Sequence, residues 1–264
     1  MVTSVMPTIL NSVSDRSANS FSSSIAALTR AYPEYAEHGH TSIDGTVEFY
    51  SLVMSAVKSD SIVLDYGAGR GCDLLNEMSP SRKKVRTLKG RCAHVEGCDV
   101  DPIVLSNPYL DNAKLLTGPV LPYSDATFDV IIADWVFEHI EYPSHVAPEL
   151  LRVLKPNGVL FARTPNKFGY IAAAARLMSD RIVRWAQPGR EEQDIFPKIY
   201  AMNTLKDLQG VFSDDATIEV RYSRPEPAYF FGNYAVLQCM RFILAATPTA
   251  FSPVLNIVIR KCDK

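Results

Sequence analysis

The stretch Val63-Leu-Asp-Tyr-Gly-Ala-Gly-Arg-Gly71 places glycines at 67, 69 and 71 directly after an apolar run. Glycine tolerates positive φ and carries no Cβ to hold a ligand off the backbone. If a helix follows, its first N–H groups are free for polar ligand atoms. The turn alone is shared by many nucleotide-binding loops, and a tight turn without a ligand can be spelled the same way. Asp99 narrows the reading, because it ends an apolar run about 30 residues further on. A carboxylate there can accept hydrogen bonds from both hydroxyls of a ribose, which points to an adenosine without fixing a reaction. Asp99 could instead cap a helix, although Asp101 is the better cap because Pro102 then takes the first helical position. The third candidate is His139, preceded by Glu138, which lies just past another apolar run. A histidine titrates near neutral pH and suits a general base; the competing role is to tie a loop to a backbone carbonyl.

These residues need elements to position them. Apolar runs at 61–66, 94–99, 113–117, 128–134 and 159–164 read as strands. Between them the spacing predicts helices near 71–79, after Asp101-Pro102, and over 143–154, where Lys155-Pro-Asn-Gly158 stops the last. A helix over 203–212 and strands over 216–222 and 255–260 follow. Strands alternating with helices imply βαβ units and a mostly parallel sheet, with ligands outside its carboxyl edge. The candidate residues all fall at that edge. Two stretches, about 166–200 and 224–253, do not fit the repeating unit and read as insertions over the same edge.

Composition sets the bounds. A chain of 264 residues, 47% hydrophobic and 21% charged, buries an ordinary globular core. A net charge of −2 supplies no basic field to hold nucleic acid, so no nucleic-acid partner is expected. The five cysteines are irregularly spaced without a C-x-x-C pair, which indicates neither zinc nor a disulfide framework and fits reduced thiols in the cytoplasm. His38 and His40 form a His-x-His without a nearby cysteine or carboxylate cluster, and no metal is expected. The N-terminus lacks a secretory pattern, and no apolar run is long enough to span a bilayer.

In order, VLDYGAGRG, then GCD, then LPYSDATFDVII, then the Glu-His pair, then ELLRVLKPNGVLFARTPN resembles the class I S-adenosylmethionine (SAM)-dependent methyltransferases over about residues 60–166. It is most similar to their small-molecule branch of ubiquinone-biosynthesis type. An NAD dehydrogenase has no reason to carry LPYSDATFD or LLRVLKPNG. The resemblance implies an α/β, doubly wound, mostly parallel seven-stranded Rossmann-like sheet with helical insertions forming a cap. Residues 1–59 would be a helical leader or cap, and 60–264 the methyltransferase domain.

The resemblance also implies site roles. Asp65, Gly67, Ala68 and Gly69 would surround the methionine part of SAM, Asp99 would hold the ribose, and Val100 would pack on the adenine. Ala133 and Asp134 would pass near the methionine end. Where the family has an acidic residue for the adenine amino group, this chain has Leu116-Thr117-Gly118-Pro119, with Thr117 in roughly that place. A threonine hydroxyl can accept that bond, without charge assistance.

The acceptor is expected to be small or lipid-like. Oxygen is favoured over nitrogen because Thr164-Pro-Asn166 is not the Asn-Pro-Pro-Tyr type of amine clamp. Segment 224–253 carries Tyr229, Phe230, Phe231, Tyr234, Phe242 and Phe251. It reads as a lid helix on the sheet, as an apolar acceptor pocket, or as a peripheral membrane contact. Arg176, Arg181, Arg184 and Arg190 fit either an anionic acceptor or a solvated helix face. The competing function is a SAM-binding regulatory or partner protein without catalysis, which the same glycine turn and Asp99 would serve equally.

Overall fold

The central strands are near-continuous apolar runs whose successive side chains point to opposite faces, so the sheet has two faces to bury. A computed structural model describes residues 22–177, 197–212 and 215–262. Seven strands, β1 (Ile62–Tyr66), β2 (His94–Asp99), β3 (Asn112–Leu115), β4 (Phe128–Asp134), β5 (Leu154–Pro165), β6 (Ala216–Ser223) and β7 (Val254–Lys261), lie in the order β3-β2-β1-β4-β5-β7-β6. The first five are parallel, and β7 runs antiparallel to both β5 and β6.

The helices are α1 over 22–31, α2 (Tyr35–His38), α3 (Gly45–Met54), α4 (Cys72–Leu75), α5 (Pro80–Arg86), α6 (Pro143–Val153), α7 (Tyr170–Leu177), α8 (Leu205–Phe212) and α9 (Tyr234–Ala246). On one face Leu64, Ile131, Leu160 and Ile257 pack with Leu150 of α6 and with Leu208 and Phe212 of α8. On the other, Val63, Val130, Phe161 and Val258 pack with Phe49 and Val53 of α3. The adjacent residues of each strand thus serve opposite layers, as the pleat requires.

Three local expectations are revised. The helix expected near 71–79 is a single turn, Cys72–Leu75, followed by α5. Pro80 holds Ser79 in an extended conformation, and the Ser79 hydroxyl caps the new helix by accepting from Arg82 N. The helix after Asp101-Pro102 is a 3-10 segment, Pro102–Ser106, capped by Asp101 through Ile103 N and closed before Asn107-Pro108. Lys155-Pro-Asn-Gly158 does end α6, but the chain is already in β5, where these residues form an irregularity with Asn157 at positive φ.

β5 and β6 both end, and β7 begins, at the carboxyl edge of the parallel strands. The 224–253 segment therefore starts and finishes there. Within it α9 packs on α1: Ala27, Phe230 and Leu237 are buried together against Leu28, Ala31 and Met240. Arg241 ties the pair by donating to Ala31 O at 3.1 Å and stacking on the Tyr32 ring. The opposite side of α9 leaves Phe242 and Ile243 exposed. No helix among the described residues is long and apolar enough to cross a membrane.

Candidate active site

The strand order reverses between β1 and β4, and a sheet opens a crevice where neighbouring connections leave in opposite directions. A cleft of about 1560 Å³ lies there. Asp65, Gly67, Ala68, Gly69, Asp99, Val100, Gly118, Asp134 and His139 all line it. Thr117 and Ala133 do not: Thr117 is exposed, with Leu116 and Gly118 facing the cleft around it, and Ala133 is fully buried beneath Asp134.

The glycine turn is built around positive φ at Gly67, Gly69 and Gly71. Gly67 N and Ala68 N both donate to Cys98 O at the end of β2. A Cβ on Gly67 would lie 2.4 Å from Val136 Cγ2, so glycine is required there by the protein itself. At Gly69 the nearest atom to an added Cβ is Asp99 Oδ2 at 4.0 Å, so that position faces open cleft. Asp99 Oδ2 accepts from Gly69 N and Oδ1 from Asp101 N, both at 2.9 Å. These bonds fix the carboxylate, and each oxygen keeps a lone pair for a ligand hydroxyl. Asn107, overlooked in the sequence, clamps the turn from the other side by donating to Ala68 O and Gly69 O at 3.1 Å. An open glycine backed by an oriented carboxylate fits the adenosine and methionine parts of SAM. The large apolar side chain of Val100, 63% exposed at the cleft wall, suits the flat adenine.

Asp134 is more constrained than its position in the sequence suggests. Arg163 donates from Nε to its Oδ1 at 2.7 Å and from Nη2 to its Oδ2 at 2.8 Å, and the Tyr50 hydroxyl adds a bond at 3.2 Å. Arg163 itself is buried, donates to Thr46 and stacks on Phe49 and Trp135. Removing either partner of such a pair strands a buried charge, at a cost of roughly 3–5 kcal/mol. This pair braces the cleft floor. Asp65 lies near its negative charge. Burial, then Asp134, push the Asp65 carboxyl up to about 7, against the pull of Arg86.

Beyond β4, a 3-10 turn (Phe137–His139) carries the Glu-His pair. The His139 Nδ1 lies 2.8 Å from Pro197 O. A carbonyl only accepts, so Nδ1 carries a proton. Nε2 stands 4.0 Å from Glu138 Oε1. Glu138 is buried, accepts from Thr164 Oγ1 at 2.8 Å, and is raised by burial to about 7. Asn203 in turn donates to Thr164 Oγ1 and to Pro165 O. His38 and His40 do not line the cleft, and their ring centroids are 5.8 Å apart. Arg176 stacks on Tyr200 at 5.0 Å, while Arg181, Arg184 and Arg190 fall outside the described residues.

The fold is the seven-stranded, mostly parallel Rossmann-like sheet of class I methyltransferases. The family model described as a methyltransferase domain matches residues 35–209, about two thirds of the chain. The chain belongs to the class I, SAM-dependent methyltransferases. It is 31% identical over 71 residues to a ubiquinone biosynthesis O-methyltransferase of Caulobacter vibrioides, covering 27% of this chain and 28% of that protein. It is 27% identical over 119 residues to the enzyme of the same name from Parvibaculum lavamentivorans, covering 42% and 47%. The chain thus spans less than half the length of these relatives. Among solved structures, a SAM-dependent methyltransferase from Methanosarcina mazei superposes with a TM-score of 0.50 at 17% identity, covering 81% of this chain and 98% of that one. The [4+2]-cyclase SpnF superposes equally well at 0.50 and 15% identity, covering 83% and 82%, so the shared fold does not by itself fix the reaction.

Proposed function

We propose that the protein moves the methyl group of SAM to an oxygen of a small acceptor with an apolar body. The observation that carries this reading is that one cleft is lined both by the glycine turn with Asp99 and by His139 with Tyr142, Tyr200 and Tyr229. The cofactor supplies an electrophilic methyl carbon. Asp65 and the Gly67–Gly69 backbone hold the methionine part, Asp99 takes the ribose hydroxyls, and Val100 lies on the adenine. His139 Nε2 is the proton acceptor for the attacking hydroxyl. Its proton-bearing Nδ1 is anchored on Pro197 O, and the nearby Glu138 carboxyl stabilises the imidazolium as it forms. The names of the curated relatives support oxygen as the receiving atom. The aromatic wall supports an acceptor with a hydrophobic part, since burial supplies about 25 cal/mol per Å² and excludes water from the sulfonium.

The test is kcat/KM over para-alkyl phenols of increasing chain length. A gain per methylene that persists over several carbons is expected. A flat series, or preference for a fully polar acceptor, overturns the apolar-body reading. SAM binding without turnover of any acceptor assigns the protein a binding role instead.

A further inference from the structure

The chain leaving β6 lies along the first turn of α3 in a continuous set of contacts. Ser223, the last residue of β6, donates from Oγ to Glu48 Oε2. Pro225 packs so closely on Gly45 that an added Cβ there would sit 2.8 Å from the proline Cβ. The next residue, Glu226, thereby falls beside Asp44, and the two carboxyl groups act on each other electrostatically. The Gly45 N–H faces Glu226 as well. Asp44 is the N-cap of α3 and is buried; its Oδ1 accepts from Thr46 N and Val47 N, both at 2.9 Å.

Each of these carboxyl groups keeps one buried oxygen without a hydrogen bond, Asp44 Oδ2 and Glu226 Oε2. Arg82 Nε, from α5, comes within 3.4 Å of Asp44 Oδ2 but is not in line to donate to it. A buried acceptor without a donor is costly, and two ionised carboxylates can only accept. A single proton on one of them supplies the donor that the other lacks. The remaining groups that face Glu226 are Tyr32, just after α1, and Tyr170, at the start of α7. Burial raises both phenols, so neither carries charge near pH 7. Burial first, then Asp44, push the Glu226 carboxyl up to about 7, against the pull of Arg82 and the Gly45 N–H.

We propose that a proton on Glu226, donated to Asp44 Oδ2, latches residues 223–229 onto the first turn of α3, and that loss of this proton releases them. The latched stretch is part of the cleft, which Pro225, Glu226, Ala228 and Tyr229 all line. Past Glu226 it is held by Ala228 N, which donates to Tyr170 Oη at 2.9 Å. Once ionised, Glu226 meets the Asp44 carboxylate as a like charge, and the contact turns from attraction to repulsion. The carboxyl is raised in the latched state, so the latch is complete at low pH and is lost as pH rises through about 7. The latch stands on contacts within the chain; only its consequence, a wall of the acceptor site that loosens with rising pH, rests on the methyltransferase reading of the cleft.

The experiment is amide hydrogen exchange on the full chain, resolved to the Ala228 amide and corrected for the intrinsic effect of pH. With the Glu226 carboxyl titrating near 7 when latched and near its ordinary value of about 4.3 when released, the latching equilibrium falls about tenfold between pH 6 and pH 8. Protection of the Ala228 amide in the wild-type protein should fall by that factor, while amides of β4 keep theirs. Glu226→Gln supplies a permanent donor to Asp44 Oδ2, so its Ala228 protection should be high and flat across the same range. Asp44→Asn keeps the cap on Thr46 N and Val47 N and removes the like charge, and it should flatten the fall as well. Protection independent of pH in the wild type, or a fall as steep as the wild type's in either folded variant, overturns the latch. No cofactor or acceptor is present in this measurement, so its failure leaves the methyltransferase reading standing, and a failure of SAM to bind leaves the latch standing.

Discussion

Proton concentration is the perturbation that separates a cofactor-holding Asp65 from a merely buried one. Its carboxyl is raised to about 7 by burial and by Asp134, tempered by Arg86. The proposed partner of Asp65 is the ammonium at the methionine end of SAM, which prefers the ionised carboxylate. Lowering the pH therefore competes with the cofactor. With a carboxyl titrating near 7, roughly 3% is ionised at pH 5.5 and about half at pH 7, while an α-amino group stays protonated throughout. SAM affinity should thus rise about 16-fold between those two pH values, about 1.6 kcal/mol. The assay is isothermal titration calorimetry at matched ionic strength, repeated on Asp65→Asn, whose curve should be flat and low. An affinity independent of pH in the wild type, or an identical slope in Asp65→Asn, refutes this role of Asp65.

Three further outcomes follow from the same geometry. Gly69→Val should leave the protein folded but weaken SAM at least about tenfold in calorimetry, because its side chain enters open cleft, whereas Gly67→Ala should lower the melting temperature through its contact with Val136. His139→Ala should reduce kcat by about 10²-fold with SAM affinity kept; near-normal turnover would leave His139 as the anchor of the 197 segment. Glu138, raised to about 7 by burial, binds its proton more tightly folded than unfolded, so its contribution is intact at low pH and lost as pH rises through about 7; Glu138→Gln should flatten the fall in melting temperature between pH 5 and 8, and an unchanged profile counts against that shift.

Much of this was legible in the sequence where the backbone dictates the residue. Gly67, Gly69 and Asp99 mark a candidate ligand-binding strand end, because glycine adopts positive φ without strain and a carboxylate is a ready acceptor. The strands were equally clear, since two buried faces demand unbroken apolar runs. What stayed hidden depends on pairing across the sheet. Arg163 is an unremarked charge in a strand until β4 and β5 align it beside Asp134. Asn107 and Pro197 act on residues 38 to 58 positions away, a distance that no local period records. The break between α4 and α5 is spelled by Pro80, which holds Ser79 out of the helical region.

The central claim, that this cleft binds SAM through the glycine turn and the end of β2, is tested most directly by titrating SAM into the wild-type protein and Asp99→Asn. The account predicts one SAM per chain for the wild type, and an affinity at least about tenfold weaker in Asp99→Asn with the fold retained, since asparagine keeps one of the two acceptor oxygens that orient the turn. No SAM binding to the folded wild-type protein, or equal affinity in the two proteins, would contradict it.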